Sequence, residues 1–267
     1  MRKFTVILSA AIVALTTAVT MSPAQAAPYT VSASISTTSA QSGDGPVIKG
    51  SLSPATPNKT VYLDRYVGGA WTNIATDTTD SNGRYAERLT FDELDYDLGS
   101  MKFRTRVINN AGTTYKSSTV TKTIYGWINL AYIYASSGDS LRFVDGNHEL
   151  TVDTNYYADE GWRSADDGVG YTKWNLQEKC LKLRAFAGLD DYESSTGAVG
   201  KLYVGQDGTT YDYSKTLYQY QVKVFDTLNL HKTQYLSFKS KRLNLDENTV
   251  VGVGEPEVLC SKYLPSE

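Results

Sequence analysis

LKLRAFAGLDDYESSTGAVGKLYVGQDGTTYDY, running from Leu181 to Tyr213, decides the fold class. Leu181, Leu183, Ala185 and Ala187 alternate with Lys182, Arg184 and Phe186. Further on, Leu202 and Val204 alternate with Lys201, Tyr203 and Gly205. A period of two sends successive side chains to opposite faces, so the pattern predicts half-buried strands over Leu181–Ala187 and Val199–Gly205. A polar, glycine-containing loop separates them, and Asp207-Gly208 marks a tight turn after the second. Glycine suits such a turn because it takes a positive φ without a Cβ clash.

The same signal spreads in both directions. Towards the C-terminus, strands are predicted over Leu217–Phe225, Gln234–Lys239 and Val250–Leu259. Gly252, Gly254 and Pro256 interrupt the last of these, as expected of an edge strand. Towards the N-terminus, Tyr171–Leu176, His148–Thr151, Leu141–Val144 and Ile128–Tyr134 read as strands. Before Tyr125 the runs Tyr29–Ser36, Val47–Leu52, Val61–Tyr66 and Trp71–Asp77 are followed by Arg84–Phe91, Lys102–Asn109 and Thr113–Ile124. Turns fall at Gly68-Gly69, at Asp80-Ser81-Asn82-Gly83 and at Asn109-Asn110-Ala111-Gly112. Short, evenly spaced strands with turn signals predict an all-β antiparallel architecture. Tyr125-Gly126-Trp127 is the predicted boundary, dividing the chain into residues 27–125 and 126–267.

Gly188-Leu189-Asp190 ends the first strand of the opening stretch and Asp207-Gly208 ends the second. With that spacing the stretch resembles a family of bacterial carbohydrate-binding modules, which are β-sandwiches carried on glycoside hydrolases or on secreted proteins. The resemblance extends outward to about Trp127 and Cys260, and it implies a jelly-roll-like sandwich for the C-terminal half. Tyr156 to Trp162 is similar to the family's tyrosine, gap, glycine-hydrophobe segment. The family often continues with His-Ser; here Arg163-Ser164 stands instead, so any role of that His is lost or replaced. The segments VYLDRYVGGAWTNIA, TDSNGRYAERLTF and KFRTRVINNAGTTYKSS resemble bacterial immunoglobulin-like modules. That likeness implies an immunoglobulin-like sandwich over 27–125, with Trp71 in its core and Gly83 as a turn glycine. Such modules serve as spacers or adhesion platforms.

Met1 to Ala26 reads as a secretory signal: Arg2 and Lys3, an apolar stretch from Val6 to Val19, then Ala24-Gln25-Ala26. No later stretch is long and apolar enough to span a bilayer, so a secreted, extracellular location is expected. Cys180 and Cys260 are the two cysteines, and an even number in an exported chain points to a disulfide. The formal charge is −3, with the two signs interspersed. Such a chain is a poor partner for nucleic acid or for an anionic membrane.

Sugar binding needs aromatic faces against which the C–H face of a pyranose stacks, and polar groups for its hydroxyls. The chain has 20 Tyr and 4 Trp against 7 Phe, an excess of amphipathic rings suited to wet surfaces. The densest local cluster is Tyr156, Tyr157 and Trp162 with Asp159 and Glu160, and these are the candidate ligand-binding residues. The competing reading puts Trp162 in the core and the tyrosines on a sheet. Asp190, Asp191 and Glu193 are candidate calcium ligands, with a solvated turn as the competing reading. No nucleophile elbow, zinc-protease motif or phosphate loop occurs, and the expectation is a non-enzyme. The sequence therefore predicts a secreted glycan-binding protein whose partner is a polysaccharide or cell-wall glycan. The alternatives are a protein-interaction or adhesion module and a structural spacer.

Overall fold

The computed structural model describes residues 28–35, 39–40, 45–90, 98–133, 135, 137–139, 142–143, 150–153, 155–156, 161–165, 168–208, 211–245 and 247–264. The predicted signal segment lies outside them. In the N-terminal half the longer strands are β1 (Val47–Ser53), β2 (Thr60–Val67), β3 (Ala70–Thr78), β4 (Arg84–Arg88), β5 (Gly99–Ile108) and β6 (Val120–Asn129). They continue with β7 (Gly161–Arg163), β8 (Gly170–Asn175), β9 (Cys180–Leu189) and β10 (Val199–Gln206). The last four are β11 (Tyr213–Tyr218), β12 (Lys223–Asn229), β13 (Tyr235–Arg242) and β14 (Val251–Cys260). The protein is all-β; these strands pair with one another antiparallel, and the short strand Ser39–Ala40 joins β6 in parallel.

Alternation builds two sandwiches. In the first, β3, β2, β5 and β6 form one layer, and β1 with β4 and two short strands forms the other. Val61 and Leu63 of β2 and Phe103 and Val107 of β5 face Ile48, Leu52 and Tyr85 across the layers, and all are buried. In the second, β7, β14, β9 and β12 face the sheet Ser137–Asp139, β8, β13, β10, β11. Leu183, Ala185 and Val253 there meet Trp174, Leu202 and Phe238 in a separate buried cluster. Trp174 anchors it, packing edge-on against Trp162 and against Phe238 at 5.2 Å between ring centroids. Its Nε1 donates to the Ile133 carbonyl at 3.2 Å, so the indole is buried without an orphaned donor.

One strand serves both sandwiches. The first half of β6 pairs with β5, from Val120 opposite Phe103 to Ile124 opposite Gly99. Its second half pairs with β14, from Gly126 opposite Cys260 to Asn129 opposite Glu257. The Cys180–Cys260 disulfide closes the same corner, joining β9 to β14 where those two residues face each other.

Four expectations are corrected. Leu217–Phe225 is two strands: β11 lies in the five-stranded sheet and β12 in the opposing one, and the chain crosses between layers at Gln219-Tyr220, where Tyr220 has φ 59°. Thr113–Ile124 is also broken, because the Ser117 hydroxyl accepts from the Thr105 amide and donates to the Ser118 carbonyl. The strand ending at Cys260 is central, with β9 on one side and β7 and β6 on the other. Its small residues answer to packing: a Cβ on Gly252 would lie 2.3 Å from Leu150 Cδ1. Pro256 falls where the register with β9 shifts, a bulge that tolerates a missing N–H. Trp71, expected in the core, lies half-exposed on the outer face of its sheet, opposite Tyr66.

Candidate functional site

The expected ligand cluster is only partly within the described residues. Tyr156 belongs to the short strand Asn155–Tyr156, paired with Thr151–Val152. Tyr157, Asp159 and Glu160 lie outside the described residues. Trp162 is a packing ring: β7 sets it opposite Val253, its ring meets Trp174, and 8% of it is accessible. Its neighbours Arg163 and Ser164 tie the 190–195 turn to β14. Arg163 Nη1 lies 2.7 Å from Glu193 Oε1, and the Ser164 hydroxyl accepts from the Val251 amide at 2.9 Å.

The three expected calcium ligands diverge. Asp190 is fully buried, and its carboxylate accepts from the amides of Tyr192, Glu193 and Thr151. Burial pushes its pKa above the ordinary carboxylate value, while those amides pull the other way. Glu193 is taken by Arg163, and the Asp191 carbonyl accepts from the Gln219 side chain at 3.4 Å. Asp190 thus organises a turn. Among the described residues no group of three or more His, Cys, Asp or Glu is placed to hold a metal ion. Of the two histidines, His148 lies outside the described residues and His231 is exposed in the turn after β12.

A different surface collects the aromatic side chains. On the five-stranded sheet Trp174, Leu202, Val204 and Phe238 point inward, which turns their alternating neighbours to solvent. Tyr171 and Tyr203 flank Lys239 from either side, each directly opposite it across a strand pair. Tyr211 packs against Tyr203 at 5.6 Å between centroids, and Tyr235 stands opposite Asn175. Lysines lie over the rings: Lys173 over Tyr235 at 3.9 Å, Lys201 over Tyr203 at 4.9 Å, Lys239 over Tyr211 at 5.6 Å. Burial also raises the Tyr211 pKa, with Tyr171 adding to it, so the phenol stays neutral. No Asp or Glu occupies an outward position of β8, β10, β11 or β13. At the edge, Ser137–Asp139 brings Asp139 to the register position opposite Tyr171.

No contiguous stretch of sequence marks this face, because its residues come from β8, β10 and β13 and from Tyr211 just before β11. The signal was present: Lys201 and Tyr203 sit on the polar side of the alternation that defines the opening stretch.

The outer face of the N-terminal sheet uses similar residues to another end. Arg104 lies over Trp71 at 4.2 Å and Arg106 over Tyr62 at 4.3 Å. Both guanidinium Nε atoms reach the buried Asp64 carboxylate at 3.1 Å. There two cations share one buried carboxylate, which draws both guanidiniums inward.

No family model matches the chain, and no curated protein matches it. Among solved structures, the CBM51-2 and INT domains of ZmpB from Clostridium perfringens align with 61% of the chain at 12% identity and a TM-score of 0.43. The chain spans 38% of the length of that protein. A CBM51 from Clostridium perfringens GH95, solved in complex with methyl-galactose, aligns with 49% of this chain and 99% of its own at 12% identity and a TM-score of 0.42. A tetra-tandem repeat in the extending region of a large adhesion protein aligns with 82% of this chain and 50% of its own, at 15% identity and a TM-score of 0.30. Likeness at this level fixes neither kinship nor ligand.

Proposed function

We propose that this chain is a secreted, non-catalytic glycan-binding protein and that the outer face of the five-stranded sheet is its contact surface. One observation carries the reading. Tyr171, Tyr203, Tyr211 and Tyr235 lie half-exposed on one sheet face, outside the core that Trp174 and Phe238 already fill. A ring in that position offers a flat apolar face to a pyranose, while its hydroxyl tolerates water. The disulfide suits an oxidising compartment. Among the described residues no helix is long and apolar enough to cross a membrane. The division at Tyr125 and Gly126 is part of the proposal, supported by the two separate buried clusters. On this reading the N-terminal sandwich carries the binding module.

The test is a pull-down of the disulfide-bonded protein on a panel of insoluble polysaccharides and cell-wall preparations, repeated with Tyr203→Ala and Tyr235→Ala. Saturable binding that each variant weakens, with unchanged folding, is expected. Binding that both variants leave intact would move the site elsewhere, the Tyr156–Tyr157 segment first. Absence of binding to every glycan would turn the reading towards a protein partner.

A further inference from the structure

Resting on that reading of the site, we propose that the glycan is acidic, a polysaccharide whose rings carry carboxylates. The same face that gathers tyrosines also gathers lysines. Lys173, Lys201, Lys239 and Lys241 all occupy outward positions of β8, β10 and β13. Lys239 stands between Tyr171 and Tyr203 in one cross-strand row. The next row sets Lys201 directly opposite Lys241. Like charges facing each other across an antiparallel pair destabilise a sheet. A fold that keeps such a pair on an exposed face departs from its own stability rules, and such departures concentrate at functional sites. An anionic ligand removes the repulsion.

Spacing narrows the ligand class. Neighbouring strands are about 4.8 Å apart and alternate residues along a strand are about 6.7 Å apart. Ring and charge are therefore offered at the scale of a single sugar unit. A uronic acid meets both at once, because the carboxylate hangs from the pyranose whose C–H face stacks. A bare polyanion has no use for the tyrosines, and a neutral glycan has none for the lysines. Single-stranded nucleic acid also combines stacking with charge. Here the rest of the chain opposes it, since the full sequence is net acidic at −3.

Affinity electrophoresis of the disulfide-bonded full chain tests this. The probes are polygalacturonate, alginate and hyaluronate, each beside its methyl-esterified form, in which the backbone is kept and the charge removed. We expect binding to at least one charged polymer, at least tenfold weaker binding to its ester, and a comparable loss at high salt, where the Debye length shrinks to about 3 Å. The triple variant Lys201→Gln, Lys239→Gln, Lys241→Gln should bind the charged polymer no better than wild type binds the ester. Tyr203→Ala should weaken both. Equal binding to charged and esterified forms, or a triple variant that binds as wild type does, overturns the acidic ligand and leaves the glycan reading standing. Binding to no polysaccharide of either kind removes both. Tighter binding to a single-stranded oligonucleotide than to any uronate polymer also overturns the proposal.

Discussion

The outer face of β2, β3 and β5 and the outer face of β8, β10 and β13 are both built from cations lying over aromatic rings. They differ in where the charge ends. On the first, Arg104 and Arg106 converge on Asp64, which is 2% exposed, so guanidinium, ring and carboxylate hold one another although two cations share one anion. On the second, Lys201 and Lys239 lie over tyrosines, and β8, β10 and β13 themselves contain no Asp or Glu. Arginine suits the first arrangement, since its planar fork pairs with a carboxylate and stacks on a ring together. Lysine, a flexible point charge, can leave its ring for a ligand. A cation over an aromatic ring is therefore not by itself evidence of a binding face; on the first face a buried carboxylate draws the cations inward.

The largest expected effect concerns the halves as wholes. Only the C-terminal sandwich is stapled, by a disulfide whose ends are 80 residues apart. Cys180→Ser with Cys260→Ser should lower stability by about 4 kcal/mol on loop-closure entropy. Hydrogen exchange should show the loss in β9 and β14, while β2 and β5 keep their protection. Equal loss in both halves would mean that the shared strand β6 makes them one cooperative unit.

Asp64→Ala comes next. It strands two partly buried guanidiniums, and breaking such a set costs about 3 kcal/mol. A urea midpoint close to wild type would dissolve the distinction between the two faces. Smaller and opposite in sign is Lys201→Gln with Lys241→Gln, which removes a like-charge cross-strand pair. It should raise stability by about 0.5 kcal/mol at low salt and by nothing measurable at high salt. Destabilisation at low salt would show that these lysines support the sheet.

The strands of both sandwiches were legible because their alternation is local: Val61 to Tyr66, Lys102 to Ile108 and Leu181 to Ala187 each state which side is buried. The disulfide was legible from the cysteine count. Three things were not. The β11 to β12 crossover hides in a run with no Gly or Pro, because Tyr220 takes the positive φ that glycine usually marks. Gly252 and Gly254 in β14 look like an edge, yet Gly252 makes room for Leu150 and Gly254 stands opposite Gly161 within the sheet. The outer tyrosines become neighbours only through register, since Tyr171, Tyr203 and Tyr235 come from three separate strands. A contiguous cluster such as Tyr156 to Trp162 attracts a reading that scattered residues cannot, and in that cluster Trp162 proves to be core.

Two buried carboxylates sharpen the comparison further. Asp64 is met by full positive charges, whereas Asp190 is met by three amides and has Glu193 nearby as a like charge. Burial is the largest influence on Asp190 and raises its folded pKa above 3.8. A raised carboxyl pKa means that folding disfavours the ionised form. The group's contribution is fully present below its unfolded pKa of about 3.9, where both states are protonated. It declines as pH rises through the folded pKa. Asp190→Asn cannot ionise and keeps one oxygen for the Tyr192 and Glu193 amides, so its own contribution does not change with pH. The stability of wild type minus that of the variant should therefore fall as pH rises from about 3 towards 7. Urea midpoints across that range read it directly. A difference that stays flat, or that grows with pH, would mean that the amides match the buried charge fully, and that a turn of backbone donors serves a carboxylate as well as the two arginines serve Asp64.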